Sequence, residues 1–170
     1  MAGAQVAVDV KELNTLAGIL NRAKLPARER QALLADIGAE MESQDQARFD
    51  TQESPEGEPW KRLAQKTAAY YAEQGLSHTS LLVREGGLRD SIESQVAGSW
   101  SVLAGATAEY AAIHQFGGEI TPKSAPALYV PGYGYLQKVT IPARPYLGVS
   151  EDDAGEIAGI ARNFLAGRLQ

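Results

Sequence analysis

The stretch Ser91-Ile92-Glu93-Ser94-Gln95-Val96-Ala97-Gly98-Ser99-Trp100-Ser101-Val102-Leu103-Ala104 carries its apolar side chains with a period of two on either side of a Gly-Ser pair. Ile92 and Val96 share one face of the first run, and Trp100, Val102 and Ala104 share one face of the second. That pattern predicts strands over Ser91 to Val96 and Trp100 to Ala104, joined by a Gly98-Ser99 turn into an antiparallel hairpin. The segments on both sides change period from two to that of a helix, so the expected class is α+β: a small antiparallel sheet built on this hairpin, with N-terminal helices and a C-terminal amphipathic helix.

Toward the amino terminus, Leu13, Leu16, Ala17 and Leu20 predict a first helix after Asp9. It should fade near Lys24, because Pro26 disfavours helical geometry in the residue before it. A longer helix is expected from about Ala27 to about Asp50, where Leu33, Ile37, Met41 and Phe49 form a row at four-residue steps with Asp45 as its gap. The N-terminal helical portion thus runs over about 10–50. Residues Thr51 to Pro59 hold three Glu, two Pro and a Gly and read as an exposed acidic loop that cannot pack. Trp60 and Leu63 should return to the core, followed by a helix over Ala64 to Gln74 that stops at Gly75. Leu76 to Ser80, with His78, reads as a loop, Leu81 to Val83 as a short strand, and Gly86, Gly87 and Leu88 as the opening of a turn or brief helix.

Toward the carboxyl terminus, Thr107 is expected to cap a helix through Gln115 that Gly117 and Gly118 terminate, with Tyr110, Ala111 and Ile113 on its apolar side. Residues 119–136 contain three Pro, two Gly and Tyr129, Tyr133 and Tyr135. This is either a contact surface that orders against a partner or an extended hairpin tip. Val139 and Ile141 mark a last strand ending at Pro142. Ser150 followed by Glu151, Asp152 and Asp153 starts a final helix, whose stripe is Ile157, Ile160, Ala161, Phe164 and Leu165.

The chain has 170 residues with 16 Lys and Arg against 21 Asp and Glu, a formal charge of −5, and 44% hydrophobic residues. That length fits one domain spanning 1–170, by the usual roughly 100 to 200 residues per domain. With no Cys there is no disulfide framework, thiol nucleophile or iron-sulfur site. Met1 to Val10 lacks the cationic and apolar pattern of a secretory leader, no run reaches the roughly 18 apolar residues of a membrane span, and cytoplasmic synthesis is expected. Neither half of the chain is a basic arm, so stable binding to nucleic acid is not expected.

The residues also offer little chemistry. His114 lies near Glu109 and Glu119 in sequence, which would suit a general base or a metal ligand, yet no second ligand stands three or four residues away. Its ring nitrogens are expected instead to pin the following loop to the helix end. No Gly-x-Ser-x-Gly elbow is present. Glu53, Glu56 and Glu58 lack the alternation of a calcium loop, and the Gly pairs fit no phosphate-binding fingerprint. No catalytic residue, cofactor or metal site is expected. Arg144, held between Pro142 and Pro145, points in a defined direction; it suits either a carboxylate on a partner or an intramolecular salt bridge or carbonyl clamp.

Four segments together resemble the phage virion morphogenesis family, the tail-completion proteins of Mu-like tailed phages. They are Phe49 to Thr67, with Phe49, Gln52, Pro55, Gly57, Trp60, Leu63 and Thr67; Leu82 to Ile92, with Gly87, Leu88, Ser91 and Ile92; Tyr110-Ala111 with Ile113-His114-Gln115-Phe116-Gly117; and Ile141-Pro142-Ala143-Arg144-Pro145-Tyr146-Leu147-Gly148. Their order and spacing cover the chain from about Leu16 to the final helix. Arg84 and Gly86 depart from a pattern that often has Thr before Gly, and the loop tyrosines inherit no role.

The resemblance implies a non-enzymatic structural protein of the head-tail junction or the top of the tail, assembled as a ring of identical subunits. It would work in the bacterial host cytoplasm during assembly and in the neck or tail of the virion. Its partners would be further copies of itself, tail tube or terminator proteins, and head-completion or connector proteins, with no membrane. Arg144, Tyr146, Tyr129, Tyr133 and Tyr135 are the expected interface. A virion-associated hydrolase, or an assembly chaperone absent from the mature particle, are the alternatives.

Overall fold

A computed structural model describes residues 4–9, 25–76, 80–84 and 86–168. The helix expected after Asp9 and the loop residue His78 lie outside these. The central hairpin forms as expected: β2 (Ile92–Ala97) and β3 (Ser101–Ala106) pair antiparallel, with Val96 opposite Val102 and Ile92 opposite Ala106. The connection is three residues, Gly98 to Trp100, with Gly98 at φ 69°. Trp100 therefore sits in the turn, where the Arg30 guanidinium lies 5.3 Å from its ring. An unexpected strand, β1 (Ala4–Asp9), pairs with the other edge of β3, giving the order β1-β3-β2.

The long helix α1 (Ala27–Thr51) crosses this sheet and buries Leu33, Leu34, Ile37, Met41 and Phe49. Gly38 is what lets it lie close, because a methyl at that position would run into the Ser94 hydroxyl on β2. The Glu42 carboxylate accepts from the Ser94 amide, so α1 also satisfies part of the outer edge of β2. The last helix, α4 (Glu151–Ala166), begins with a capping box in which the Ser150 hydroxyl accepts from the Asp153 amide and the Asp153 carboxylate accepts from the Ser150 amide. Its residues Ile157, Ala158 and Ala161 join Leu25, Leu33, Leu34, Ile37, Met41, Val102 and Ala104 in one core. A second core at the far end of α1 collects Phe49, Trp60, Leu81, Leu88, Ile92, Ala106, Ala111, Tyr146 and Leu147.

Between the cores and the surface, α2 (Gln65–Glu73) ends one residue before Gln74, with Gly75 in the left-handed region as expected. Leu81 to Val83 is not a strand. Leu82 takes φ 61°, which breaks the alternation, while the Leu81 amide is held by the Gln52 side chain. A 3-10 turn, Arg89–Ser91, then leads into β2. Thr107 does not cap a helix either: its amide donates to the Ser91 carbonyl at 3.0 Å and extends the sheet. The helix α3 is shorter, Ala111–Phe116.

The stretch 119–136 takes the hairpin form. β4 (Gly118–Ile120) pairs with β7 (Val139–Ile141) as a stem, and β5 (Leu128–Val130) pairs with β6 (Gly134–Leu136) at the tip. The acidic loop is more organised than its composition implied. Ser54 is buried and receives the Glu56 amide on its hydroxyl, and its own amide donates to the Glu58 carbonyl. Pro55 rests where a side chain on Gly148 would otherwise be.

Candidate functional site

The four segments that carry the family resemblance meet at one junction below α1. Phe49 lies edge-on to Trp60 with ring centroids 5.4 Å apart, and 5.3 Å from Tyr146. The Trp60 indole N–H donates to the Pro145 carbonyl at 2.8 Å, and the Tyr146 hydroxyl donates to the Ala111 carbonyl at 3.2 Å. Burial, and the negative charge of Asp45, hold the Tyr146 phenol far above its ordinary pKa. Gly117, at φ 68°, ends α3 where Ala143 N would stand 2.6 Å from any Cβ. Only glycine permits that approach.

Arg144 and Tyr146, expected at an interface with a partner, are inside the chain. They are 5% and 0% exposed. The Arg144 Nε donates to the Lys61 carbonyl at 2.8 Å, its Nη2 reaches the Arg62 carbonyl at 3.5 Å, and its amide donates to the His114 carbonyl at 2.8 Å. It is a carbonyl clamp tying 142–148 to the chain after Trp60. His114 does not pin the loop after α3 as expected; the side chain of its neighbour instead ties a distant segment to the helix. Gln115 Oε1 accepts from the amides of both Tyr146 and Leu147 at 3.0 Å, and its Nε2 donates to the Leu147 carbonyl at 3.0 Å. The His114 Nδ1 is buried without a partner, and its ring stands edge-on to Tyr110 at 6.0 Å. Burial and the Arg144 charge push the imidazole below its usual pKa, so it is neutral at pH 7.

A charged group at the gap in the four-residue row of α1 completes the junction. Asp45, 1% exposed on the buried stripe of α1, pairs with Arg48, which also pairs with Asp153 at the start of α4 and donates to the Tyr146 carbonyl at 3.3 Å. The Gly148 amide donates to Asp45 at 3.2 Å. Burial pushes the Asp45 carboxyl up to about 7 against the pull of Arg48 and the amide, and nearby Asp153 adds to the rise. The signal was present in sequence, since an acid in a buried row with Arg three residues on implies an internal pair.

The outer surface differs in kind. Tyr129 and Tyr135, opposite each other on β5 and β6, are 67% and 78% exposed, with rings 5.5 Å apart. Tyr133 instead docks the tip onto α2. Its hydroxyl lies 3.0 Å from the Thr67 hydroxyl, the Lys66 ammonium is 4.7 Å from its ring, and Gly132 sits against Tyr70. Phe116 is also 67% exposed. Between this arm, α2 and the segments 80–84 and 87–88 lies a cleft of about 1020 Å³, with Leu81, Leu88, Val139 and Ile141 among its walls. Among the described residues no cluster of three His, Asp or Glu could hold a metal ion, and no helix is long and apolar enough to cross a membrane.

The polar side chains of the junction thus brace the interior, while two paired aromatics stay exposed on the hairpin. The chain belongs to the phage virion morphogenesis family, whose match covers residues 8–166. It is 29% identical to the "Putative capsid assembly protein G" of Escherichia phage Mu over 166 residues, 97% of this chain and 96% of that one. It is also 28% identical over 119 residues to the "Mu-like prophage FluMu G protein 1" of Haemophilus influenzae, covering 69% of this chain and 67% of that protein. No solved structure matches. The chain is thus a phage virion assembly protein of α+β fold.

Proposed function

We propose that the protein is a structural, non-enzymatic component of the head-tail junction or the top of the tail, acting as a ring of identical subunits in tail completion. Its partners in this reading are neighbouring copies, the tail tube or terminator, and head-completion or connector proteins. It binds them in the host cytoplasm during assembly and stays in the neck or tail of the particle.

The observation that carries the reading is the exposed Tyr129–Tyr135 pair on a hairpin whose tip rests on α2. Large aromatics with a wet polar tip are enriched at interfaces, where they bury much area at low entropic cost. Membership of a virion morphogenesis family supports an assembly role for that surface, and the word "capsid" in the Mu relative's name is consistent with an action close to the head. The junction supports a non-catalytic reading, because Arg144, Gln115 and Tyr146 spend their polar atoms on main-chain groups of the same chain.

The test is electron microscopy of an induced lysate from a lysogen lacking this gene. Filled heads beside unjoined or over-long tails are expected. Joined particles that fail to infect would contradict the reading and favour a virion-borne hydrolase. Mass spectrometry of purified wild-type particles should find the protein; its absence would make it a chaperone of tail formation.

A further inference from the structure

The net charge of −5 is unevenly distributed. Helices α1 and α4 together carry ten Asp and Glu against four Arg. The stretches 60–84 and 118–144, which supply most of the cleft walls, carry seven Lys and Arg against two Glu. Among the described residues lining the cleft there are five cations, and no carboxylate.

Those cations differ in what they can do. Lys138 is held by Glu119 at 2.8 Å, and Arg144 is committed to the Lys61 and Arg62 carbonyls. That clamp fixes the main chain from which Lys61 and Arg62 emerge, and both of these residues are exposed at the cleft. They are pre-positioned cations beside an apolar floor.

The helix pair presents the opposite sign. Gln44 Nε2 donates to Glu40 at 3.0 Å and to Glu156 at 2.8 Å, bridging two carboxylates on α1 and α4. Burial and then Glu156 hold the Glu40 carboxyl above its usual range. Asp152 and Glu156 are exposed one turn apart on α4.

We propose that the cleft of one copy receives the acidic α1–α4 ridge of a second copy, with Lys61 and Arg62 set against Asp152 and Glu156. The inference rests on the ring reading and deepens it by naming the two surfaces. Cleft and ridge are different parts of the subunit, so the contact is heterologous, the type that generates a ring when its rotation closes. Exposed ion pairs contribute modestly, so the charges set orientation and register.

Isotopically light and heavy protein, mixed in equal parts and treated with a carbodiimide, should yield mixed-label cross-links between Lys61 and Asp152 or Glu156. In sedimentation at low salt, Lys61→Glu with Arg62→Glu should weaken self-association by about tenfold. Adding Asp152→Lys with Glu156→Lys to the same chain should restore it. Mixed-label links elsewhere, or unchanged self-association in the cleft variant, would overturn this docking and leave the ring reading standing. A protein monomeric at every concentration would also overturn it, while the ring reading is judged separately from the copy number per particle. Retention of labelled duplex DNA by the wild type and not by the cleft variant would assign the cleft to nucleic acid, overturning the proposal.

Discussion

The junction around Trp60 and the arm that ends in Tyr129 and Tyr135 are both rich in aromatic residues, yet they use them in opposite ways. In the junction, Phe49, Trp60 and Tyr146 are at most 4% exposed, and the polar atoms of Trp60 and Tyr146 are satisfied by main-chain carbonyls. In the arm the two tyrosines face water in a pair, and the strands that carry them pair only as short two-stranded ribbons. Nearly all of the residues that mark the family fall in or beside the junction. They encode how the chain folds, and the exposed pair of the arm takes no part in that packing.

Breaking the junction should therefore cost stability first. Trp60→Ala removes a buried indole and its hydrogen bond to Pro145, and should destabilise by about 3–5 kcal/mol in a denaturant titration. Gln115→Leu strands two amides and a carbonyl of Tyr146 and Leu147, for about 2–4 kcal/mol, whereas His114→Ala next to it should cost about 1 kcal/mol or less. Equal effects at 114 and 115 would erase the distinction drawn between them. Arg144→Ala should cost about 2 kcal/mol, because buried carbonyls lose a charged donor; an undisturbed fold with impaired assembly would return Arg144 to the interface.

Asp45 gives a signed pH test. Its carboxyl is raised in the folded chain to about 7 from the model-compound value of 3.8. Between those values the folded state holds the proton more tightly than the unfolded state, so this group's contribution to stability is fully present in acid and is lost as pH rises through that window. The stability of the wild type relative to Asp45→Asn should fall from about pH 4 to about pH 7 and stay level above it. A difference that rises with pH would mean that Arg48 dominates burial.

What could be read from sequence was local. The Ser150 cap and its acidic first turn fix α4, the four-residue row fixes α1, and period two around Gly98 fixes the β2–β3 hairpin. What could not be read depends on residues far away in the chain. The strand Ala4–Asp9 exists because β3, about a hundred residues on, offers it an edge. Asp45 can be buried because Arg48 is shared with Asp153, 105 positions later. The apolar side expected of α3 included Tyr110, which is 50% exposed, and a polar Gln115 one turn after Ala111 gave no sign that it faces inward in place of His114. Ala111 and Gln115, one turn apart, are the two buried positions of α3. Arg144 was ambiguous for a different reason, since the features that suit an arginine to an interface also suit it to a carbonyl clamp.

The smallest effect on stability should come from the arm, and it tests the contrast most directly. Tyr129→Ser with Tyr135→Ser should change the unfolding free energy by no more than about 0.5 kcal/mol. Complementing a lysogen that lacks the gene with this folded variant, and counting joined particles by electron microscopy, should give filled heads and separate tails as in the deletion. Joined particles at the wild-type yield would contradict the account, and would show that the exposed pair has no part in assembly.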